Sequence, residues 1–269
     1  MNLSSVVGGT RRAAIPAAAA MVCALIGACG GSSGNSPGSG ATQGVQNAPG
    51  GSGLQSTNWS GYGLTGSPLG FRQVSASWTV PAPDCGSSST ASATWAGIGG
   101  LVSSDPTLIQ VGTEQDCNGG SASYYAWWEG YPAPSEDISS SGNYPVHGGD
   151  QVTVVVNSAA LVLWSISIHN LTAGWTYNTT TPFVAVGESA EWIEEAPLEI
   201  GGGGATQASL SDFGVVSFSA LAANGANPDL SIADSIQMVN ANNAVVANPS
   251  APGAGGDSFD VCYGAGSCN

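Results

Sequence analysis

Residues 124–132 read Tyr-Tyr-Ala-Trp-Trp-Glu-Gly-Tyr-Pro, one carboxyl group among five aromatic rings. Side chains alternate along a strand, so residues two apart share a face. In that geometry Tyr125, Trp127, Glu129 and Tyr131 stand on one side, with Tyr124, Ala126, Trp128 and Gly130 on the other. A Glu is seldom buried without a partner. Glu129 is therefore either a solvated residue of a surface strand or part of a cleft floor, where rings bind a ligand and the carboxyl orients it. A second stretch, Ala190 to Pro197, puts Glu191, Ile193 and Glu195 on one face and Trp192 and Glu194 on the other. A third, Leu108 to Glu114, sets Gln110 and Glu114 on a common side. Only 8% of the chain is charged, so polar groups gathered on three strand-like stretches are better site candidates than the loops. Positioned carboxyls can take and return protons. A glutamine amide keeps its N–H donors at any pH. Trp-lined clefts with paired carboxyls such as Glu129 and Glu195 also suit sugars, so a carbohydrate-binding or glycoside-hydrolysing sandwich lipoprotein is an alternative in which Gln110 is dispensable.

The elements that must position these residues are strands. From Asn58 onward, short runs rich in Val, Ile, Thr, Ser and aromatics are broken by Gly, Pro and Asn. Strands are expected at Phe71–Val80, Ala93–Gly99, Leu108–Thr113, Ser123–Tyr131, Gln151–Val156, Leu161–Asn170, Phe183–Glu195, Val215–Ala220, Ser231–Val239 and Ser258–Tyr263. No amphipathic helix stands out, and Gly201–Gly204 reads as a loop. The pattern predicts an all-β chain, an antiparallel β-sandwich or jelly roll in a single domain over residues 54–269.

Charge and leader narrow the class. Eighteen acidic residues face three basic ones, Arg11, Arg12 and Arg72, with no lysine. Nucleic acid is an unsuitable partner, since phosphate binding needs cations. A chain with few ion pairs to lose is expected to tolerate acid. Arg11 and Arg12 precede an apolar stretch of small residues, Ala13 to Ala28, too short to span a membrane. Residues 1–28 read as a signal peptide ending in a lipobox-like Leu25-Ile26-Gly27-Ala28-Cys29, with Cys29 as the candidate lipidated residue and plain secretion as the alternative. Residues 29–53 read as a flexible tether rich in Gly, Ser and Pro. Membrane association is then expected only through that lipid, and the domain is expected to be a monomer. Cys85, Cys117, Cys262 and Cys268 are an even set for an oxidising compartment; a short Cys262–Cys268 loop would leave Cys85–Cys117, but three connectivities remain open. Their spacing does not suggest zinc. His147 and His169 carry no context for a nucleophilic triad, and Gly30–Gly34 matches G-x-S-x-G without the strand and helix that chemistry needs.

Six stretches also occur in a known order: Asn58-Trp59-Ser60-Gly61-Tyr62, Ser75–Pro81, Thr94–Gly100, Leu108–Gly112, Ala126–Pro132 and Ala190–Glu195. Together they resemble the glutamic peptidases, the eqolisin family. The resemblance implies a concanavalin-like jelly roll, an extracytoplasmic acid endopeptidase acting on polypeptides, and no metal or cofactor. It implies a catalytic dyad, with Gln110 at the family's glutamine and Glu195 at its glutamate. Trp127, Glu129 and Tyr131 match the family's tryptophan-x-glutamate-x-tyrosine cleft residues, and Trp95 and Glu114 join them. One departure is Gly99, where the family's tryptophan-x-glycine-isoleucine-aspartate stretch carries an acid. An isolated Glu titrates near ~4.3, so a general base working in acid is expected to need no large shift.

Overall fold

The computed structural model describes residues 37–38, 46–47, 53–201 and 204–268. The signal segment, Cys29 and the Gly30–Gly34 motif lie outside the described residues. In chain order the strands are β1 (Pro37–Gly38), β2 (Gln46–Asn47), β3 (Leu54–Ser56), β4 (Trp59–Thr65), β5 (Gln73–Thr79), β6 (Thr90–Ile98), β7 (Leu108–Asn118), β8 (Ser121–Tyr131), β9 (Glu136–Asp137) and β10 (Gln151–Ala160). They continue with β11 (Leu163–Asn170), β12 (Trp175–Pro182), β13 (Ser189–Glu195), β14 (Leu198–Gly201), β15 (Gly204–Gln207), β16 (Val215–Ala223), β17 (Ser235–Val239), β18 (Val245–Pro249) and β19 (Phe259–Tyr263). Among the described residues, helix is confined to two single 3-10 turns, Ser139–Ser141 and Ile232–Asp234.

One large sheet runs in the order β12-β11-β10-β5-β16-β19-β18-β17-β4-β13-β6-β7-β8-β9. It is antiparallel apart from the short β3, which lies parallel to β17. The sheet folds back on itself, so β4-β13-β6-β7-β8 form one layer and β12-β11-β10-β5-β16 the other, and β10 packs on β6 and β7. Alternation explains the core. Trp78, Val154, Ile166 and Phe218 point inward from one layer and meet Val111, Ala126 and Trp192 of the other. A second apolar cluster sits on the opposite face of β13-β6-β7-β8 and holds Trp59, Trp95, Trp127 and Ile193.

All ten expected strands are present, with shifted ends. β7 runs on to Asn118, while β13 begins only at Ser189, because residues 186–188 leave the sheet to bond the turn at 66–71 through Gly66, Leu69 and Phe71. The Asn- and Thr-rich β12 and the Gly-containing β4 lie outside the expected strands. Gly201 and Gly204, expected in a loop, pair with each other as the ends of β14 and β15. Within the stretch read as a flexible tether, Pro37–Gly38 pairs with β14 and Gln46–Asn47 with β3. Two disulfides form, Cys85–Cys117 and Cys262–Cys268, with Cα atoms 5.3 and 5.4 Å apart.

Candidate active site

Registry across β13, β6, β7 and β8 builds the site. One row across the sheet is Glu195, Ala93, Glu114 and Tyr125; the next on the same face is Ile193, Trp95, Gly112 and Trp127; the third is Glu191, Gly97, Gln110 and Glu129. Trp59 of β4 extends the first row beside Glu195. The two glycines make room for what their neighbours hold. A Cβ on Gly112 would lie 2.6 Å from the Cβ of Trp95, and one on Gly97 would lie 3.0 Å from the Cβ of Gln110 and 3.0 Å from the Trp95 ring. Trp95 thus lies down between the Glu195 row and the Gln110 row, its ring 4.8 Å from Trp59 in an edge-on contact.

The polar groups on this face are enclosed. Gln110 and Glu195 are 0% exposed and Glu129 is 2% exposed. Glu195 accepts from the Trp95 indole N–H at 2.7 Å and from the Asn58 amide at 3.2 Å. Gln110 donates through Nε2 to Glu129 at 2.7 Å, and its Oε1 meets no partner. Burial pushes the Glu195 carboxyl well above the ordinary range; Trp95, Trp59 and Asn58 offset part of that, while the charge of Glu129 adds to it. Burial raises Glu129 to about 8, against the pull of the Gln110 amide. Glu114 is also raised, first by burial and then by Asp116, with Tyr125 opposing. The expectation of an ordinary carboxyl at Glu195 is therefore corrected: the desolvation that a packed sheet face imposes is not visible in the residue type.

Every residue expected on this face is on it: Trp95, Gln110, Glu114, Trp127, Glu129, Tyr131 and Glu195. Glu194 points the other way, into the interior, where it accepts from Thr94 at 2.5 Å and from Gln115 at 3.3 Å. The histidines lie elsewhere. His147 is 71% exposed with its ring 3.8 Å from Asp150, and His169 sits on β11 between Thr153 and Thr176 in the other layer.

Three groups escaped the reading of the sequence as site residues. Asn58 holds Glu195, and Trp59 packs beside it. Asp105 is the third. Gly99 has φ +93°, and a Cβ there would fall 2.2 Å from the Thr107 carbonyl oxygen and 3.0 Å from Asp105 Oδ2. No side chain fits at 99, and a buried carboxyl from residue 105 borders that space instead. Asp105 accepts from the Thr107 hydroxyl at 2.5 Å and amide at 3.2 Å, and from the Glu188 amide at 3.0 Å. It lies six positions beyond Gly99, so no local motif marks it. Nearby Glu191 is 0% exposed, and burial, with the charge of Asp105 adding to it, pushes its carboxyl well above the ordinary range.

A sandwich with carboxyls and an amide sealed among tryptophans on one sheet face is the kind of site that acid–base hydrolysis needs. The model of the Peptidase A4 family matches residues 57–263. The chain belongs to that family and is a glutamic endopeptidase. It is 26% identical over 228 residues to aspergillopepsin-2 of Aspergillus niger, covering 77% of this chain and 78% of the relative. Over 118 residues it is 34% identical to scytalidopepsin B of Scytalidium lignicola, a match spanning 44% of this chain and 42% of that one. The fold superposes on scytalido-glutamic peptidase with a transition state analog inhibitor at a TM-score of 0.64 and 27% identity, over 77% of this chain and 98% of that chain. Aspergilloglutamic peptidase from Aspergillus niger gives 0.54 and 26%, over 65% and 99%. Membership in a peptidase family decides between the peptide and sugar readings of the paired carboxyls.

Proposed function

We propose that this chain is an extracytoplasmic acid endopeptidase working through a Gln/Glu dyad on a concanavalin-like jelly roll. The observation that carries this reading is the Glu195 carboxyl, buried and held by Trp95 and Asn58, on the same face as a Gln110 amide aligned by Glu129. Glu195 as carboxylate takes a proton from water while the water oxygen bonds to the scissile carbonyl carbon. The carbonyl electron pair moves onto oxygen, and a Gln110 N–H donates to that developing oxyanion. Glu195 then passes its proton to the amide nitrogen as the C–N bond breaks, leaving a carboxylic acid and an amine. Glu129 orients Gln110. In acid Glu129 is neutral, so its own O–H can donate to the Gln110 Oε1 in the flipped amide, turning both N–H groups of Nε2 free for substrate. Trp95, Trp127 and Tyr131 line the cleft and Glu114 supports Glu195. A relative of the eqolisin family has been solved with the tripeptide Ala-Ile-His, which supports a peptide as occupant. The two disulfides support an oxidising compartment. Cys29 as a lipidated residue would hold the enzyme at the cell envelope.

The test is cleavage of a denatured protein by the full chain across the acid range, with a pepsin-type inhibitor present. Wild type should cleave. Glu195→Gln should abolish turnover, and Gln110→Ala should lower kcat by about 10²–10³. Wild-type activity in either variant would overturn the dyad.

A further inference from the structure

The hairpin joining β10 to β11 breaks the rules of a solvent-facing turn. Ala160 pairs with Leu163, so the connection is the dipeptide Leu161-Val162. Two-residue turns ordinarily carry Gly, Asn or Asp. Here Leu161 is 66% exposed, Val162 50% and Leu163 38%, within the unbroken apolar run Ala159 to Trp164. Val184, 72% exposed, stands alongside, because the Phe183 amide bonds the Val162 carbonyl. An exposed run of this length is a liability unless something covers it.

Charge says what can approach. The chain carries 18 acidic residues, yet none falls between Asp150 and Glu188. The single basic residue of the sandwich, Arg72, sits at the base of this hairpin: its carbonyl accepts from the Ser158 amide and its guanidinium donates to the Ser158 hydroxyl at 2.5 Å. The tip is therefore apolar and free of acids, with one cation behind it, on a protein of net charge −15.

We propose that this hairpin tip is a membrane-docking element that inserts Leu161, Val162 and Val184 into a lipid surface. A narrow protruding tip fits a surface that yields around it, and Arg72 stands where phosphate headgroups would lie. Three exposed aliphatic side chains bind lipid weakly and reversibly, so the contact is read at high vesicle concentration.

Hydrogen exchange of the full chain, with and without vesicles of phosphatidylcholine or of phosphatidylcholine doped with phosphatidylglycerol, tests this. The readout is local, so lipid binding by the apolar stretch Ala13–Ala28 does not confuse it. Amides of 159–164 and 183–185 should exchange several-fold more slowly on vesicles, and Leu161→Ser combined with Val162→Ser should remove that protection while peptidase activity persists. Stronger protection on the doped vesicles assigns a part to Arg72. Failure of the chain to bind vesicles, or binding with unchanged exchange at the tip, overturns the proposal. Protection that grows with protein concentration in the absence of lipid makes the tip a contact between copies and overturns it equally.

Discussion

Glu195 carries two opposing demands. It must be a carboxylate to take a proton, yet burial favours its neutral form, and Trp95 and Asn58 supply the donors that hold the charge. The base is absent below its pKa, so kcat should rise with pH on the acid limb of its profile. Hydrogen bonds to charged groups contribute about 1.5–3 kcal/mol, so Trp95→Phe should move that rise upward by about one to two pH units in a kcat–pH profile. Trp95→Phe with an unmoved profile would mean that Glu195 is not the titrating base. Gly99 yields a second expectation at this scale. With φ +93° and a carbonyl oxygen 2.2 Å from any Cβ, Gly99→Asp should not restore a family feature. It should cost on the order of 1–3 kcal/mol from the backbone alone, read as a lower urea midpoint.

At the scale of elements, β6 and β7 carry the site because their glycines let large groups lie flat across the sheet. Gly112→Val would drive a side chain into the Thr94 carbonyl oxygen and the Trp95 Cβ, so it should lower both the thermal midpoint and kcat as the strand and the indole shift away from Glu195. The far end of β7 is tied by Cys85–Cys117, closing a loop of 32 residues. Replacing both cysteines with alanine should cost roughly 3–4 kcal/mol in thermal unfolding. β7 also shows how far strand reading reached. Its start at Leu108 was legible from the apolar run, but it was expected to stop at Thr113. The strand continues through polar residues instead, and Gln115 is buried and donates to Ser92 at 2.7 Å. A polar residue continues a strand when the neighbouring strand satisfies it, and that neighbour is remote in sequence.

Over the whole molecule, Glu114, Glu129, Glu191, Glu194 and Glu195 are buried carboxyls whose pKa values all lie above the ordinary range. The folded chain therefore holds protons that the unfolded chain releases. Stability is fully present below about the unfolded carboxyl pKa and declines as pH rises through the folded values. Glu194, desolvated and only partly offset by Thr94, Ser92 and Gln115, titrates at about 7. It alone should remove about 3 kcal/mol between acid and mildly alkaline pH. Urea midpoints at pH 4 and pH 8 should show this loss, and Glu194→Gln should reduce it. A midpoint that rises with pH would refute the picture. The acid tolerance expected from composition acquires a second cause here: besides having few ion pairs to lose, the chain keeps interior carboxyls outside the dyad, Glu194 among them, neutral in acid.

The sequence by itself determined the faces. The pleat is local, so Tyr125, Trp127, Glu129 and Tyr131 had to share a side, Glu195 had to oppose Glu194, and the spaced Val, Thr and aromatic runs had to be strands. Only the tertiary structure decided who stands beside whom. β13 lies between β4 and β6, which brings Asn58, Trp59 and Trp95 to Glu195 from segments about a hundred residues or more away. Desolvation was likewise beyond the sequence. Whether a carboxyl is neutral at a given pH depends on what excludes water from it, and for Glu129, Glu191 and Glu195 that is a set of packed side chains assembled from distant strands.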